Sequence, residues 1–376
     1  MLARSVKRTV SIVGAGRVGR TLGKHLRERG WHIAAVVTRS AATSRAAVRA
    51  IGAGTPYAAF ADVSRQGTAS AVPKSRGRSG VLTPEVLAAE IFRGSELLAP
   101  SEVVGQPRHK STLTKGASAP GRLLRGSRLQ PRQTDANKRG ALAPEVEAIL
   151  AAGLVLFATP DDALPAVADA LARTGGSAWR GKIALHTSAT LDRSALAPLA
   201  RCGAATGSLH PMQAFGGAIV PKLKGVIFAI EGDAKARQIG QSIAKSLGGI
   251  PIAIDTREKP IYHAAAVMAG GSLYPVIEAG LQLLMGIGFT RDRATQTLLP
   301  LARQILDYIE RIGPRAAWTG PLSRGDYAIV SKHMRALHRY PREIQQAYAA
   351  LALLAGRVLA KNPAAALKRI NRALKV

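Results

Sequence analysis

The chain of 376 residues is long enough for two domains, and 47% of it is hydrophobic, so it can bury a sizeable core. Its formal net charge is +30, and its single cysteine, Cys202, excludes a disulfide framework within the chain and favours a reducing, cytoplasmic location. No stretch reaches the roughly 18 uninterrupted apolar residues typical of a membrane helix, and the basic start lacks a signal-peptide cleavage site, so we expect no membrane partner.

Strands and helices alternate along the first two thirds of the chain. Residues 9–60 predict a strand, a glycine turn, a helix, a second strand, a short helix and a short third strand. The alternation resumes at PEVEAILAAG and LVLFATPDD and continues to the strand IPIAID. This pattern predicts the α/β class, with a Rossmann-type, doubly wound and mostly parallel sheet. We expect this dinucleotide-binding domain to occupy residues 1–256.

The segment from residue 64 to residue 143 interrupts the alternation and is rich in Arg, Ser, Gly and Pro. It holds 14 Lys and Arg against 5 Asp and Glu, a net charge of +9, and only residues 83–94 have a helical pattern. Because long structureless loops are uncommon inside compact domains, we interpret it as a largely disordered, basic insertion. No zinc-finger, RNA-binding or basic heptad motif accompanies the charge, so we expect no specific nucleic-acid binding.

Predicted strands end near residue 256, and residues 257–376 predict an all-helical C-terminal domain. A long, mostly apolar helix runs from IYHAAAV to LLMGIG, an amphipathic helix covers RDRATQTLLPLARQILDYIERIG, and two more helices follow the loop TGPLSRGD. A helix that is apolar nearly all round is buried on more than one side. We therefore expect a homodimer that forms through the helical domain.

The stretch SIVGAGRVG places three glycines in a G-x-G-x-x-G frame between the first strand and the first helix. In this context the first glycine permits a tight turn, the second lets the backbone approach a pyrophosphate, and the third lets the helix pack on the strand. A turn without a ligand is the alternative. We favour a dinucleotide loop because the helix N-terminus supplies free N–H groups for phosphates. The loop consists of Gly14, Ala15, Gly16, Arg17, Val18 and Gly19.

The tip of the second strand, Thr38, Arg39 and Ser40, bears on the choice between NAD and NADP. An acidic residue there would bind the ribose 2′-hydroxyl of NAD, but none is present. Arg39 is placed to pair with a 2′-phosphate, with two hydroxyl groups beside it, so the sequence favours NADP (NADPH) as cofactor. An ordinary solvated arginine is the alternative interpretation.

Three predicted strands end in polar loops, ATPDD, HTSAT and SLHPMQAF. Ligands of open α/β sheets lie beyond the carboxyl ends of the strands, so Thr159 and Pro160 are predicted to lie near the nicotinamide. Asp161 and Asp162 are more typical of helix capping. His186 is either a core histidine or a site residue.

The third loop, SLHPMQAF, is dense in hydrogen-bonding groups within an apolar context. Ser208, His210 and Gln213 surround Pro211 there. The 8 histidines and one cysteine have no metal-ligand spacing, so we expect no metal site.

The motifs SLHPMQAF, YHAAAV and GPLSRGD, behind the N-terminal GAGRVG, resemble the Rossmann-like proteins that carry the domain of unknown function 2520. The resemblance covers nearly the whole chain except residues 64–143. That family is grouped with the 6-phosphogluconate dehydrogenase-like and pyrroline-5-carboxylate reductase-like oxidoreductases. The resemblance implies a Rossmann domain, a 6-phosphogluconate dehydrogenase-like helical domain, a cleft between them and, usually, a dimer. It implies the cleft residues Ser188, His210, Gln213, His263, Arg324 and Asp326.

One helix departs from the family pattern. The family often reads YHAAAVFASNY, whereas this chain reads YHAAAVMAGGSLY, with Gly271 where the Asn would fall. If that Asn orients the substrate, this protein lacks the group or uses Ser272.

These patterns predict an NADP-dependent oxidoreductase that transfers hydride between nicotinamide and a small carbonyl, imine or alcohol substrate in the interdomain cleft. His210 and His263 are the predicted proton donors or acceptors, because histidine exchanges protons near neutral pH, and Ser188 completes the predicted catalytic set. Gln213 is predicted to bind the substrate. Arg324 is predicted to hold an anionic substrate, with Asp326 orienting it or capping the next helix. The alternative is an NADP-binding sensor or scaffold without turnover.

Overall fold

The computed structural model describes residues 8–59, 142–217 and 219–375. The predicted insertion, apart from its last two residues, and the helix predicted at 83–94 lie outside the described residues. The described residues divide into two compact units, the first ending at Gly280 and the second covering residues 281–375. The predicted boundary at residue 256 marks where the strands end and falls inside the first unit, in which Lys259 and Tyr262 of the next helix bond to Ser208 and His210 of the sheet.

The described strands of the first unit form one sheet of eight strands in the order β3-β2-β1-β4-β5-β6-β7-β8. Every neighbouring pair is parallel except β6 and β7, which are antiparallel. This confirms the predicted Rossmann-type, mostly parallel sheet. The elements are β1 Thr9–Val13, α1 Arg17–Glu28, β2 His32–Thr38, α2 Ala41–Ile51, β3 Thr55–Ala58, α3 Pro144–Leu150, β4 Leu154–Phe157, α4 Leu164–Gly175, β5 Ile183–His186, α5 Ala197–Arg201, β6 Ala205–Pro211, β7 Ile227–Gly232, α6 Ala234–Ser246 and β8 Ile250–Ala253.

The central strands are buried on both faces, which explains their continuous apolar runs. Successive side chains of a strand point to opposite faces. In β4, Leu154 and Leu156 therefore pack in one apolar layer with α1, while Val155 and Phe157 pack in the other layer with α4. The two layers hold the strand ends rigidly at the edge where the candidate site lies.

The long apolar helix predicted after residue 256 contains an irregularity. A 3₁₀ turn at Thr256–Glu258 leads into α7, Lys259–Ala266, then a π-helical turn at Val267–Gly271, then α8, Leu273–Met285. The amide of Ser272 donates to the carbonyl of Val267 at 2.8 Å, which closes the wider turn. Turns of this kind are frequent at functional sites.

The described part of the second unit is helical. Its remaining elements are α9 Arg291–Ile312, α10 Pro314–Ala317, α11 Pro321–Arg324, α12 Tyr327–Leu337, α13 Arg342–Val358 and α14 Pro363–Leu374. Three long helices follow the loop TGPLSRGD, whereas the sequence predicted two. The difference arises because a new helix begins after Asn362 and separates α14 from α13. The side chain of Asn362 accepts a hydrogen bond from the amide of Ala365 at 3.1 Å, and Pro363 occupies the first helical position.

One continuous helical stretch within the described ranges, Thr256–Met285, has the length and apolar composition of a membrane-spanning helix. Its mean hydropathy is 1.3 over the most apolar window, of which 6% is buried.

Candidate functional site

Gly14 and Gly19 shape the turn between β1 and α1. Gly14 has φ +83°, and a Cβ on it would lie 2.6 Å from the backbone nitrogen of Thr159. A Cβ on Gly19 would overlap the carbonyl oxygen of Gly14. Real Cβ atoms do not approach so closely, so the fold itself requires glycine at both positions.

Gly16, the N-cap of α1, has no such structural role. Its φ of −69° is open to any residue, and an added Cβ would meet no atom of the described residues within 4 Å. The missing side chain leaves space beside the first turn of the helix, whose N–H groups have no intrahelical acceptors. A pyrophosphate uses such a space and such donors, so the turn fits a dinucleotide.

The crevice beside this turn lies where the strand order reverses, between β1 and β4. Thr159 follows β4 there, and its hydroxyl oxygen is buried without a hydrogen-bond partner among the described residues. Leaving a buried polar atom unpaired costs about 1–3 kcal/mol, so such atoms are uncommon. A ligand in the crevice is the natural partner for this hydroxyl. Pro160, the next residue, is exposed.

The tip of β2 keeps one cation free. The hydroxyl of Thr38 donates to the carbonyl of Ser40 at 2.9 Å, and the hydroxyl of Ser40 accepts from the amide of Thr43 at 3.2 Å to cap α2. Arg39 between them is exposed and makes no hydrogen bond or ion pair within the part of the chain that the structure describes. Thr38 and Ser40 therefore shape the tip, and Arg39 remains available to an anion.

The end of β5 carries polar groups that bond to one another. The ring nitrogens of fully buried His186 accept from the amide of Ser188 at 3.3 Å and donate to the carbonyl of Asp192 at 3.0 Å. The hydroxyl of Ser188 donates to the Asp161 carboxylate at 2.7 Å and accepts from the amides of Thr190 and Leu191. The bonds of His186 lie within the loop after β5, and those of Ser188 join that loop to the one after β4.

The end of β6 carries a histidine with one free nitrogen. The Nδ1 of His210 lies 3.1 Å from the hydroxyl of Tyr262 on α7, and the two rings meet edge to face with centroids 5.7 Å apart. Its Nε2 has no partner among the described residues. Burial and, next, the positive charge of Lys259 lower the pKa of His210 to about 4, with a smaller contribution from His263. His210 is therefore neutral at pH 7, with Nε2 open to a ligand.

The glycine turn and His210 lie at the same end of the sheet, where the parallel strands have their carboxyl ends. Val13, Phe157, His186 and Ser208 stand in register across β1, β4, β5 and β6. Three strand spacings, about 14 Å, separate β1 from β6.

The other predicted site residues lie in different places. His263 is half-buried on α7 beside Tyr262. Gln213 follows β6 and is half-buried, and its backbone N–H donates to the carbonyl of Pro211 at 2.8 Å. Arg324 and Asp326 belong to the second unit, where the Nε of Arg324 donates to the Asp326 carboxylate at 3.0 Å. No group of metal-ligating side chains occurs within the described ranges.

Sequence reasoning missed Tyr262, Lys259 and Glu231, which the structure brings close to β6. Burial raises the pKa of Tyr262 to about 12, so its phenol keeps its proton. Each residue left a signal in the sequence. Tyr262 belongs to the motif YHAAAV, and Lys259 precedes Tyr262 by three residues, about one helical turn. Glu231 is the one acidic residue of the apolar strand VIFAIEG.

Sequence comparison with protein families gives two matches. Residues 130–211 match the Rossmann-like domain, and residues 226–355 match the Domain of unknown function (DUF2520). The chain joins a Rossmann-like domain to a DUF2520 domain. This confirms the family resemblance that the motifs indicated. No curated protein sequence matches the chain at a significant level.

Solved structures share the fold of this Rossmann-like and DUF2520 chain at low identity. A protein from Bacteroides fragilis, provisionally assigned as an NADP oxidoreductase, is 16% identical, with a TM-score of 0.56 over 91% of this chain and 95% of its own. A reductive aminase from Aspergillus terreus, solved with NADPH and ethyl-5-oxohexanoate, is 13% identical, with a TM-score of 0.54 over 96% and 98%. Protein TM1727 from Thermotoga maritima is 15% identical, with a TM-score of 0.51 over 98% and 100%. These likenesses establish a common fold.

Proposed function

We propose that this protein is an NADP-dependent oxidoreductase that transfers hydride between nicotinamide and a small carbonyl, imine or alcohol substrate. One observation carries the proposal. Gly16, a glycine that the fold does not require, lies at the carboxyl ends of the parallel strands. His210 lies at the same end of the sheet, and it is a neutral histidine whose Nε2 has no partner among the described residues. The first feature fits a dinucleotide and the second fits a reacting heteroatom.

The cofactor would be held by the loop Gly14–Gly19, by Thr159 and by Arg39. The N–H groups at the start of α1 would bind the pyrophosphate, and Arg39 would pair with the 2′-phosphate that distinguishes NADP from NAD. The unpaired hydroxyl of Thr159 would gain a partner. When bound, the cofactor supplies or accepts a hydride at a carbon atom of the substrate.

His210 would bind the heteroatom bonded to that carbon. With Tyr262 donating to Nδ1, the imidazole carries its proton on Nε2 and presents it to the substrate. The Tyr262 phenol keeps its own proton, because burial raises its pKa to about 12, so the proton that His210 gives to the substrate heteroatom would be replaced from solvent. His210 therefore acts as a neutral donor, since its pKa of about 4 leaves the imidazolium form scarce at pH 7.

The remaining predicted residues have smaller parts in this proposal. Ser188 would hold the loop after β5 through Asp161, because its hydroxyl is already bonded. Gln213 and His263 would contact the substrate beside His210. Arg324 and Asp326 belong to the second unit, where Arg324 donates to the Asp326 carboxylate, and they stay predicted binding residues for a substrate anion. The cytoplasmic location predicted from the single cysteine is also part of this proposal.

The first test is titration of the full-length protein with NADPH and NADH, followed by tryptophan fluorescence. We expect micromolar NADPH binding that weakens at least about tenfold in Gly16→Val and in Arg39→Ala, with NADH bound more weakly by the wild type. Arg49→Ala, which removes an exposed arginine at the far end of α2, is the matched control and should bind like the wild type.

Absence of binding to either cofactor would overturn the proposal. Binding without NADPH oxidation across a panel of ketones, aldehydes and imines would favour the sensor or scaffold instead. Turnover that persists in His210→Phe would assign the proton step to another group.

We also propose that two copies pair through apolar helices. On α9, exposed apolar side chains recur at helical spacing and form one stripe, which consists of Leu301, Ile305, Tyr308, Ile309 and Ile312. Apolar stripes on soluble proteins mark interfaces. The stretch Thr256–Met285 adds Ile261, Met268 and Tyr274, which are 61–69% exposed. A second copy is the favoured occupant because the described residues of one chain leave apolar area on both helices uncovered.

Sedimentation analysis tests this pairing. We expect a dimer for the wild type and a monomer or aggregate for Leu301→Glu combined with Ile305→Glu. Arg303→Glu, on the opposite face of α9, is the control and should stay dimeric. A monodisperse wild-type monomer, or a protein soluble only in detergent, would contradict the proposal.

A further inference from the structure

Lys259, the first residue of α7, is a buried cation that the proposed reaction does not use directly. Its side chain is 2% exposed. The Nζ donates to the hydroxyl of Ser208 at 2.8 Å and to the carbonyl of Ser188 at 3.4 Å. Burying an ammonium group is costly unless charge and hydrogen bonds compensate, so a lysine here calls for an explanation.

A buried carboxylate lies beyond Ser208. Glu231 on β7 is 4% exposed and accepts from the Ser208 hydroxyl at 3.4 Å, from the amide of Arg193 at 3.0 Å and from the hydroxyl of Thr256 at 3.3 Å. Ser208 therefore joins opposite charges through one hydroxyl group. The network links the loop after β5, the strands β6 and β7, and the start of α7.

The network holds the start of α7 at two points, one in the preceding 3₁₀ turn and one on its first residue. Thr256 bonds to Glu231, and Lys259, three residues later, bonds to Ser208. Tyr262 follows Lys259 by three more residues, so both lie on the same face of the helix. That face is the one from which the hydroxyl of Tyr262 reaches His210.

We propose that Lys259 is a positioning residue, which fixes α7 against β5 and β6 and so holds the Tyr262 hydroxyl on Nδ1 of His210. The inference rests on the proposed function in taking His210 as the group that meets the substrate. Replacement of the buried ammonium by an apolar chain of similar length should leave the helix folded but loosely placed. The Tyr262 hydroxyl would then lose its defined distance from His210.

The test compares Lys259→Met with the wild type by two independent readouts. The first is NMR of the His210 imidazole during a pH titration, which needs neither cofactor nor substrate. We expect the signature of the hydrogen bond at Nδ1 to disappear and the pKa of His210 to rise toward its ordinary value. The charged and titratable groups that face His210 are Lys259 and His263 from α7 and Asp161 from the loop after β4, with the Tyr262 phenol in contact.

The second readout is NADPH oxidation. We expect kcat to fall at least about tenfold in Lys259→Met with NADPH affinity unchanged, because a small displacement of a positioned group costs rate rather than binding. In a Tyr262→Phe background the same substitution should change kcat less than twofold, since the group it positions is gone. A residue that only stabilises the fold would lower kcat equally in both backgrounds.

Lys182→Met is the matched control. Lys182 is a half-buried lysine whose Nζ donates to the backbone carbonyls of Leu150 and Ala152, at the end of the strands opposite His210. It should leave the His210 signals unchanged. If Lys259→Met does not fold, Ser208→Ala removes the nearer of the two acceptors of Lys259 and decides the question.

Each outcome separates the two proposals. Unchanged His210 signals in Lys259→Met or, where it does not fold, in Ser208→Ala would overturn the positioning role, whatever the activity. Loss of the hydrogen-bond signature at Nδ1 in a protein that turns over no substrate would support the placement of Tyr262 by Lys259 and would count against the oxidoreductase proposal. A rise in the pKa of His210 with that signature intact would report only the lost charge of Lys259 and would overturn the positioning role.

Discussion

The neighbouring ends of β5 and β6 each carry a histidine whose pKa is lowered to about 4. The two histidines differ in how many of their ring nitrogens are hydrogen-bonded. His186 uses both ring nitrogens within its own loop. Among the described residues, His210 has a partner at Nδ1, the hydroxyl of Tyr262, and none at Nε2. A lowered pKa therefore marks burial in both cases, and the free nitrogen distinguishes the candidate functional residue.

The glycine turn repeats this contrast. Gly14 and Gly19 lie against backbone atoms that exclude a Cβ, whereas Gly16 faces open space. In both regions, the groups that bond or pack within the chain hold the scaffold. The groups with unused capacity are the candidates for ligand contact.

The largest effect is expected from exchanging the two histidines for phenylalanine. His210→Phe should lower kcat by about 100-fold or more, because it removes the proton donor, while NADPH affinity stays near that of the wild type. Steady-state NADPH oxidation with a substrate found by screening checks the rate, and fluorescence titration checks the affinity.

His186→Phe should show the opposite pattern. It leaves the amide of Ser188 and the carbonyl of Asp192 unpaired, so unfolding in urea should show a loss of about 3 kcal/mol. NADPH affinity per folded molecule should not change. Equal losses of activity per folded molecule in both variants would break the comparison.

The glycines should divide in the same way under alanine substitution. Gly19→Ala should lower the melting temperature by several degrees, because its Cβ overlaps the carbonyl of Gly14 and the helix must shift. Gly16→Ala should melt within about 2 °C of the wild type, since no atom lies within 4 Å of the added group. Differential scanning calorimetry of the apo protein distinguishes them, and similar melting points for the two variants would contradict the assignment.

Acid should destabilise the protein through both histidines. Their folded-state pKa of about 4 lies below the unfolded value near 6.5, so the unfolded chain binds protons that the folded chain cannot. The stability is fully present above pH 6.5 and is lost as the pH falls from 6.5 to 4, by about 3 kcal/mol for each histidine. His210→Phe should remove one of the two contributions, and urea unfolding at several pH values measures it.

The smallest effect is expected at Gly271, where the family pattern has Asn. An added Cβ would meet only Val267, at 3.6 Å, so the π-helical turn accommodates the side chain. If His210 and Tyr262 suffice, Gly271→Asn should change kcat/KM less than about threefold. A larger gain in kcat/KM would show that the β6 end lacks an orienting group.

The sequence predicted the alternation of strands and helices and the dinucleotide frame at Gly14–Gly19. The preference for NADP was inferred from Arg39, which has no acidic residue beside it. Each depends on residues close together in the chain, through hydrophobic period, glycine conformation or the residue type at a strand end. The third helix after TGPLSRGD was also readable, in the pair Asn362 and Pro363, but was missed.

The tertiary structure alone decided which polar residues remain free. His210 meets Tyr262 across 52 residues, and Lys259 meets Ser208 across 51, because α7 returns to pack on the ends of β5 and β6. No local pattern encodes those distances, nor the unpaired hydroxyl of Thr159. The sequence by itself determined the sheet, the helices and the glycine turn through local physical preferences. Whether both ring nitrogens of a histidine are hydrogen-bonded, or one stays available to a ligand, depends on which distant groups the packing brings to its ring.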